Sequence, residues 1–355
     1  MNMMTYKTFT HPGQPQMQVE VILASRAINA DGDDQGPPLY TIRMRYPRII
    51  HGEIMTHRVF SRNARSSRAV PVKTMLLECT TMPFIPWHWG KNQKGMQASE
   101  VCNELVNFRT FWQRKDGTHT RHYGTKIDHT STAAWLAASE YAVEVAEGFM
   151  EAGYHKQIPN RLLEPFSWID TLITSRDWNN FLWLRDHADA EPHLQDLARL
   201  VKQAIVDAEV QILEPGEWHT PYIIPADRDT VENEYNDGRT PSHVMLCKLS
   251  AARCARISYK PFDGDASYER ELERYDMLVS SDRVHASPLE HQATPDEPEN
   301  WDSAELAEID NLGISIDKVF WQKSHVAGNL GPGWIQFRKT IPNENYTNPH
   351  HTELE

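Results

Sequence analysis

The 355-residue sequence predicts an α+β chain, and three observations carry that expectation. Leu39–Tyr46 alternates: Tyr40, Ile42, Met44 and Tyr46 point one way, Thr41, Arg43 and Arg45 the other, as a half-buried strand requires. Ala133–Gly153 repeats Trp135, Ala138, Tyr141, Ala142, Val145 and Phe149 at spacings of three and four, the period of an amphipathic helix. Ala190–Leu213 does the same with Leu194, Leu197, Val201, Ile205, Ala208 and Ile212.

The other elements follow in chain order. Residues 1–17 are polar and Pro-bearing and are expected to be a flexible tail without an apolar leader. Val19–Leu23 reads as a short strand and Asp31–Pro38 as a loop; Pro47 ends the strand that follows. Glu214–Asp229 is rich in proline and marks an internal connection, taken here as 214–244, between parts 18–213 and 245–342 of one domain. Glu269–Ser280 reads as a short helix. Thr294–Asp310 carries seven acidic residues and no basic one, the pattern of a solvated surface segment. Residues 343–355 read as a polar tail, and there is no internal repeat.

Composition excludes several classes. Lys+Arg is 36 and Asp+Glu 49, a net charge of −13, which argues against a nucleic-acid coat protein because duplex binding leans on many phosphate contacts. No apolar run approaches the ~20 residues of a membrane span. Cys79, Cys102, Cys247 and Cys254 form no C-x-x-C pair, so neither a disulfide scaffold nor a thiolate metal site is expected, and a cytoplasmic, reducing setting fits. His119, His122 and His129 lack any H-E-x-x-H pattern and are read as solvated or hydrogen-bonded. His88, between Trp87 and Trp89, reads as packing, and Gly328–Gly333 as a loop.

Charge is concentrated in one place. Arg43, Arg45, Arg48, Arg58, Arg62, Arg65 and Arg68 lie within 26 residues that contain no lysine and one acid, Glu53. A guanidinium matches phosphate oxygens two at a time, and His57, Ser61, Asn63, Ser66 and Ser67 add short donors. The segment therefore predicts a focused anion site rather than a solvated face, with Arg43 and Arg45 equally well placed on an edge strand facing solvent.

This stretch, His57-Arg58-Val59-Phe60-Ser61-Arg62-Asn63-Ala64-Arg65-Ser66-Ser67-Arg68, resembles the arginine signature of the flavin-dependent thymidylate synthases, the ThyX family. His57, Arg58, Ser61, Asn63, Ser66 and Arg68 agree with it. Asn160-Arg161-Leu162-Leu163-Glu164-Pro165 is similar to the family's A-R-x-x-L-P, and Asn180-Phe181-Leu182-Trp183-Leu184-Arg185 to its N-F-L-x-L-R. Ala255-Arg256-Ile257-Ser258-Tyr259 resembles A-R-V-S-Y, and His285-Ala286-Ser287-Pro288-Leu289-Glu290-His291 resembles H-x-S-P-F-E-H. In the family the last two precede the arginine signature; here they follow it, the order a circular permutation of bacteriophage-type relatives gives.

The resemblance implies a ThyX-like antiparallel sheet flanked by helices, circularly permuted, in a homotetramer without membrane or nucleic-acid partners. It implies one-carbon transfer from methylenetetrahydrofolate to C5 of a deoxypyrimidine monophosphate, dUMP to dTMP, with FAD and NADPH. His57, Arg58 and Asn180 would contact FAD, with Ser258, His285, Ser287 and Glu290 lining the flavin–nucleotide pocket. Ser66, Ser67, Arg68 and Arg161 would hold the phosphate, with Arg185 and Arg68 as the catalytic pair and Arg185 against the pyrimidine. No cysteine follows a proline, so nothing recommends thiolate attack on the ring. Three positions depart: Thr56 for the signature's first arginine, Ala64 for a glutamate, Glu53 for a glutamine. Arg62 or Arg65 is the expected substitute for the charge missing at Thr56. A carboxylate at 53 suits cytosine's 4-amino group, so a dCMP methylase, or a deoxypyrimidine hydroxymethylase serving base modification, is the alternative. A non-catalytic nucleotide-binding or nucleic-acid-binding protein is the second.

Overall fold

The computed structural model describes residues 6–29, 31–32, 34, 36–112, 122–234, 240–257, 267–280, 284–299, 305, 308, 311–312 and 321–345. The strands are β1 (Phe9–His11), β2 (Gln14–Ala27), β3 (Leu39–Pro47), β4 (Ser61–Ala64), β5 (Val106–Trp112), β6 (His122–His129), β7 (Trp168–Ser175), β8 (Gln211–Leu213), β9 (Ala293–Pro295) and β10 (Trp334–Gln336). The helices are α1 (His51–Ile54), α2 (Val72–Thr81), α3 (Ser131–Glu151), α4 (Gln157–Leu162), α5 (Trp178–Arg185), α6 (Pro192–Val206), α7 (Pro225–Glu234), α8 (Ser242–Ala255) and α9 (Tyr268–Val279).

The architecture is α+β. A sheet runs β1-β2-β3-β7-β4 with every neighbouring pair antiparallel, and β8 joins β2 in parallel. Its core holds Met17, Val19, Ile42, Met44, Tyr46, Ile169 and Ile173 under α6, whose Leu194, Leu197, Ala198 and Val201 are buried. Pro192 opens α6, and the Glu191 carboxylate accepts the Leu194 N–H as its cap. Thr130 caps α3 through the Ala133 N–H.

Several expectations are corrected. The N-terminal tail is not loose through residue 17: β1 and β2 form a hairpin, and Met17 is fully buried in the main core. Nor is Val19–Leu23 an isolated strand, being the middle of β2. The 190–213 helix stops at Val206, and Gln211–Leu213 becomes β8. Beyond β1 the far edge of β2 has backbone groups to satisfy, and β8 pairs with Ser25–Ala27 there. Ile212, expected on the apolar stripe, is half exposed. On α3 the buried line runs through Ser139 and Ala146 rather than Tyr141, because α2 packs beside Ala142 and Val143. β3 is an interior strand, not an edge. Thr294 and Asp296 are buried, since β9 pairs with β10.

The 214–244 connection is also packed in. His219 is buried and bonds Ser25 Oγ at 2.6 Å and Thr41 Oγ1 at 2.8 Å. Thr41 bonds Thr174 at 2.6 Å, and Thr174 bonds His291 Nδ1 at 2.8 Å. One buried polar chain thus ties β2, β3 and β7 to both the connection and the His285–His291 segment. The pattern suits low dielectric, where an unmade hydrogen bond is costly.

Candidate active site

Arg185 closes the last turn of α5, where a cation complements the helix C-terminus. Trp178 and Phe181, three apart, bury one face of this helix and leave Arg185 half exposed. Its Nε donates to His57 Nε2 at 3.0 Å and its Nη2 to Thr56 Oγ1 at 3.0 Å. The Glu53 carboxylate lies 3.9 Å from its Nη1. Thr56 Oγ1 in turn donates to the Glu53 carbonyl at 2.7 Å.

His57 is buried between Phe60, stacked at 5.3 Å, and the edge of Phe181 at 5.1 Å. Burial, then Arg185 and Arg62, push its imidazole down to about 4. The ring is therefore neutral at pH 7, and the bond from Arg185 puts its proton on Nδ1. Glu53 moves the other way: burial and Glu191 raise its carboxyl, and Arg185 opposes them.

A second set of donors follows the C-terminal end of β4. Buried Asn160 donates from Nδ2 to the carbonyls of Ser67 at 2.7 Å and Val70 at 2.9 Å. Lys156 Nζ donates to the Ala69 carbonyl at 2.9 Å, and the Arg68 N–H to Ser66 Oγ at 3.3 Å. These bonds fasten α4, which carries Arg161, to the 66–70 turn, which carries Arg68. Both arginines are exposed, and neither forms an ion pair among the described residues. Ser66 is half-buried and Ser67 buried.

The motif segments from the far end of the chain come to the same strand. Asn63 Nδ2 donates to the Cys254 carbonyl at 2.9 Å, at the end of α8. Gln336 Nε2 donates to Ser61 Oγ and to the Glu290 carbonyl, each at 3.0 Å. Ser287 is half-buried, His285 exposed, and Glu290 buried in an ion pair with Arg338. Arg58 and Asn180 are exposed. Ser258 lies outside the described residues.

The seven-arginine anion site is smaller than expected. Arg43 pairs with Glu20, Arg45 with Asp170, Arg48 with Glu164, and Arg65 with Glu78 and Asp170. Arg62 donates to the carbonyls of Met55 at 2.8 Å and His57 at 3.0 Å. Carboxylates on β2 and β7 (Glu20, Asp170), on α2 (Glu78) and in the turn before β7 (Glu164) meet these guanidiniums, while Arg58 and Arg68 stay exposed. Arg62 and Arg65 are both engaged elsewhere, and the cation that meets Thr56 is Arg185, through its bond to the threonine hydroxyl.

Sequence reasoning missed Gln336, Arg338 and Lys339. With Glu290, His325 and Gly328 they line a cavity of about 410 Å³ against β4. The adjacent Arg338–Lys339 pair was the available signal. Gly328 (φ 60°) sits where a Cβ would strike the Gln336 amide, so this wall requires glycine. His88 is packing, as expected: its Nε2 bonds Asp196 at 2.8 Å beside the Trp87–His193 ring contact.

Cys79, Cys247 and Cys254 are buried and their thiols are raised by burial, Cys79 to about 12. Native treatment with iodoacetamide is therefore expected to label Cys102 at most and to leave catalytic activity intact. Peptide mass mapping alongside the activity assay checks this, and inactivation on labelling a buried cysteine would contradict it.

No family model matches the chain, and no curated protein matches it. Solved structures do. A UMP/dUMP methylase, PolB, from Streptomyces cacaoi, bound with 5-Br UMP, aligns at 18% identity and a TM-score of 0.33 over 48% of this chain and 69% of that one. The flavin-dependent thymidylate synthase ThyX from Helicobacter pylori, complexed with FAD and dUMP, aligns at 16% identity and a TM-score of 0.29, covering 47% and 67%. The likeness is to part of the fold. Among the described residues no helix is long and apolar enough to cross a membrane, and no group of His, Cys, Asp and Glu is placed to hold a metal.

Proposed function

We propose that the protein transfers a one-carbon unit from methylenetetrahydrofolate to C5 of a deoxypyrimidine monophosphate, dUMP to dTMP, using FAD and NADPH. The observation that supports this reading is Arg185 fixed on His57 and Thr56; a second set is offered by the exposed Arg68 and Arg161, on the 66–70 turn and on the helix α4 that Asn160 ties to it. The second set suits a phosphate monoester, and the first suits a pyrimidine ring whose oxygens gain negative charge when C5 attacks carbon. His57, held neutral, keeps Arg185 oriented without competing for its charge.

The exposed donors Arg58, Asn180 and His285 fit a polyanionic dinucleotide such as FAD. When bound, FAD supplies the reducing equivalents that make the transferred methylene a methyl group. The sites of the two β4 ends would be completed by a second copy of the chain in a homotetramer. A circular permutation would account for the motif order, and the bond of His291 to Thr174 on β7, beside β4, is compatible with it.

Glu53 supports a second reading. Its carboxylate faces Arg185 at 3.9 Å with its pKa raised, a group able to accept from or share a proton with cytosine's 4-amino edge. One experiment separates the readings: incubation with FAD, NADPH, methylenetetrahydrofolate and either dUMP or dCMP, followed by mass analysis. A methyl gain on dUMP is the expected result. Gain on dCMP alone, or a hydroxymethyl mass, moves the assignment to the base-modifying alternative. A colourless protein that binds nucleotide without turnover ends the enzymatic reading.

A further inference from the structure

Helix α3 has two apolar sides, and the chain covers only one. Trp135, Ala142, Val143, Ala146 and Met150 pack into the small core shared with α2, Leu163 and Phe166. A second line, Ala134, Ala138, Tyr141, Val145 and Phe149, recurs every three or four residues on an adjoining side. Ala138 and Tyr141 are exposed, Tyr141 at 55%, and Ala134, Val145 and Phe149 are half-buried. The line continues past the helix, where exposed Tyr154 meets Phe149 edge-on at 5.1 Å. A helix that is apolar on more than one side is normally covered on each.

The remaining side of α3 is acidic. Glu140, Glu144, Glu147 and Glu151, at spacings of four, three and four, form one exposed row with no ion pair among the described residues. The helix contains no lysine or arginine. Glu147 and Glu151 stand at its C-terminal end, whose carbonyls already carry negative partial charge, so a cation there would be stabilising.

The chain carries such cations at the other end of the same helix. Strand β6 ends at His129, one residue before the Thr130 cap, so the β5–β6 ribbon joins α3 at its N-terminus. Residues 106–129 hold five Lys and Arg against two Asp, in a chain of net charge −13. Arg109 and Lys126 stand directly opposite each other in the ribbon's register, and both are exposed. Like charges in that position repel, which a facing row of carboxylates would relieve. Asp128, on the same face, is already held by Asn107 Nδ2 at 2.7 Å. A ribbon of two strands is also marginal by itself and gains from a surface to lie on.

At 1.5 Å per residue the 21-residue α3 is ~30 Å long, which separates the base of the ribbon from the acidic end within one chain. An antiparallel pair of α3 helices brings the two together. We propose that α3 is a self-association surface: its uncovered apolar line packs antiparallel on α3 of a second copy, and each copy's ribbon lays Arg109 and Lys126 along the partner's acidic row. The pairing is two-fold symmetric, so both contacts form twice. The surface is independent of the reaction proposed above.

Sedimentation velocity on the full chain tests this with two charge-reversal variants. One is Arg109→Glu with Lys126→Glu, the other Glu144→Lys with Glu147→Lys. Each is expected to weaken self-association about tenfold or more, because like charges then face each other. An equal mixture of the two should restore it, since in the mixed pair each ribbon again meets a row of opposite charge. Only folded chains can rescue one another, so recovery also excludes misfolding as the cause of the loss. Tyr141→Asp, on the apolar line, should weaken association in the native background. A native chain that sediments as a monomer at every concentration overturns the surface. Association unchanged by Tyr141→Asp overturns the helix-to-helix contact. Two weakened variants that fail to recover on mixing overturn the contact between ribbon and acidic row.

Discussion

Arg185→Ala is expected to lower kcat for one-carbon transfer by about 100- to 1,000-fold, the worth of one preorganised donor aimed at developing charge in a water-poor site. The guanidinium is held at two points, by His57 Nε2 and Thr56 Oγ1, both at 3.0 Å. That fork geometry fixes the direction of its remaining N–H groups. Arg185→Lys should not restore the rate, because an ammonium cannot bond both partners and still present a planar edge. Stability should change little, since Arg185 is half exposed at the end of a helix whose buried anchors, Trp178 and Phe181, are untouched. A second readout separates a role in chemistry from one in packing. Arg185 is the second-largest cause of the low His57 pKa, so proton NMR should show the imidazole titrating higher in Arg185→Ala. An unchanged kcat together with an unchanged His57 titration would remove Arg185 from the site.

Acidification should unfold the protein well above the usual carboxylate range. His219 and His291 are fully buried, and burial pushes both down to about 3. Unfolded, each would titrate near ~6.5. The native state thus binds fewer protons than the unfolded state between these values, so stability is full above pH ~6.5 and falls as pH drops toward 3. At pH 5 the two together stand to lose about 4 kcal/mol, a large part of the margin of an ordinary domain. His51 and His57, each pushed to about 4, add to the slope. Urea unfolding at pH 7.5, 6 and 5 measures this directly. A free energy of unfolding that does not change over that range would show that the Ser25–His219–Thr41–Thr174–His291 chain admits protons without opening.

Much of this was legible in the sequence because it depends on local rules. The alternation of Leu39–Tyr46 gave β3, the three- and four-residue spacings gave α3 and most of α6, and Pro47 ended its strand as ring geometry requires. The motif residues also singled out segments that the fold brings to β4 and β7. What they left open was which guanidiniums stay available. Arg43, Arg45, Arg48 and Arg65 look the same as Arg58 and Arg68 when only spacing is read. The difference lies in Glu20, Glu78, Glu164 and Asp170, residues from other elements that the fold sets against them. Similarly, Gln211–Leu213 pairs with the part of the β2 edge that β1 leaves uncovered, which only the assembled sheet defines.

By itself, then, the sequence determined the α+β character, the helical and strand periods, the absence of cysteine pairs, and the motif segments around His57, Arg161, Arg185 and His285. Tertiary structure alone decided that Arg185 bonds Thr56 and His57, that Glu290 is held by Arg338, and that Glu344 pairs with Arg338 and Lys339. The physical reason is range. Backbone propensity and side-chain period act between residues a few positions apart, whereas ion pairing and desolvation depend on which distant groups the fold brings within a few ångströms.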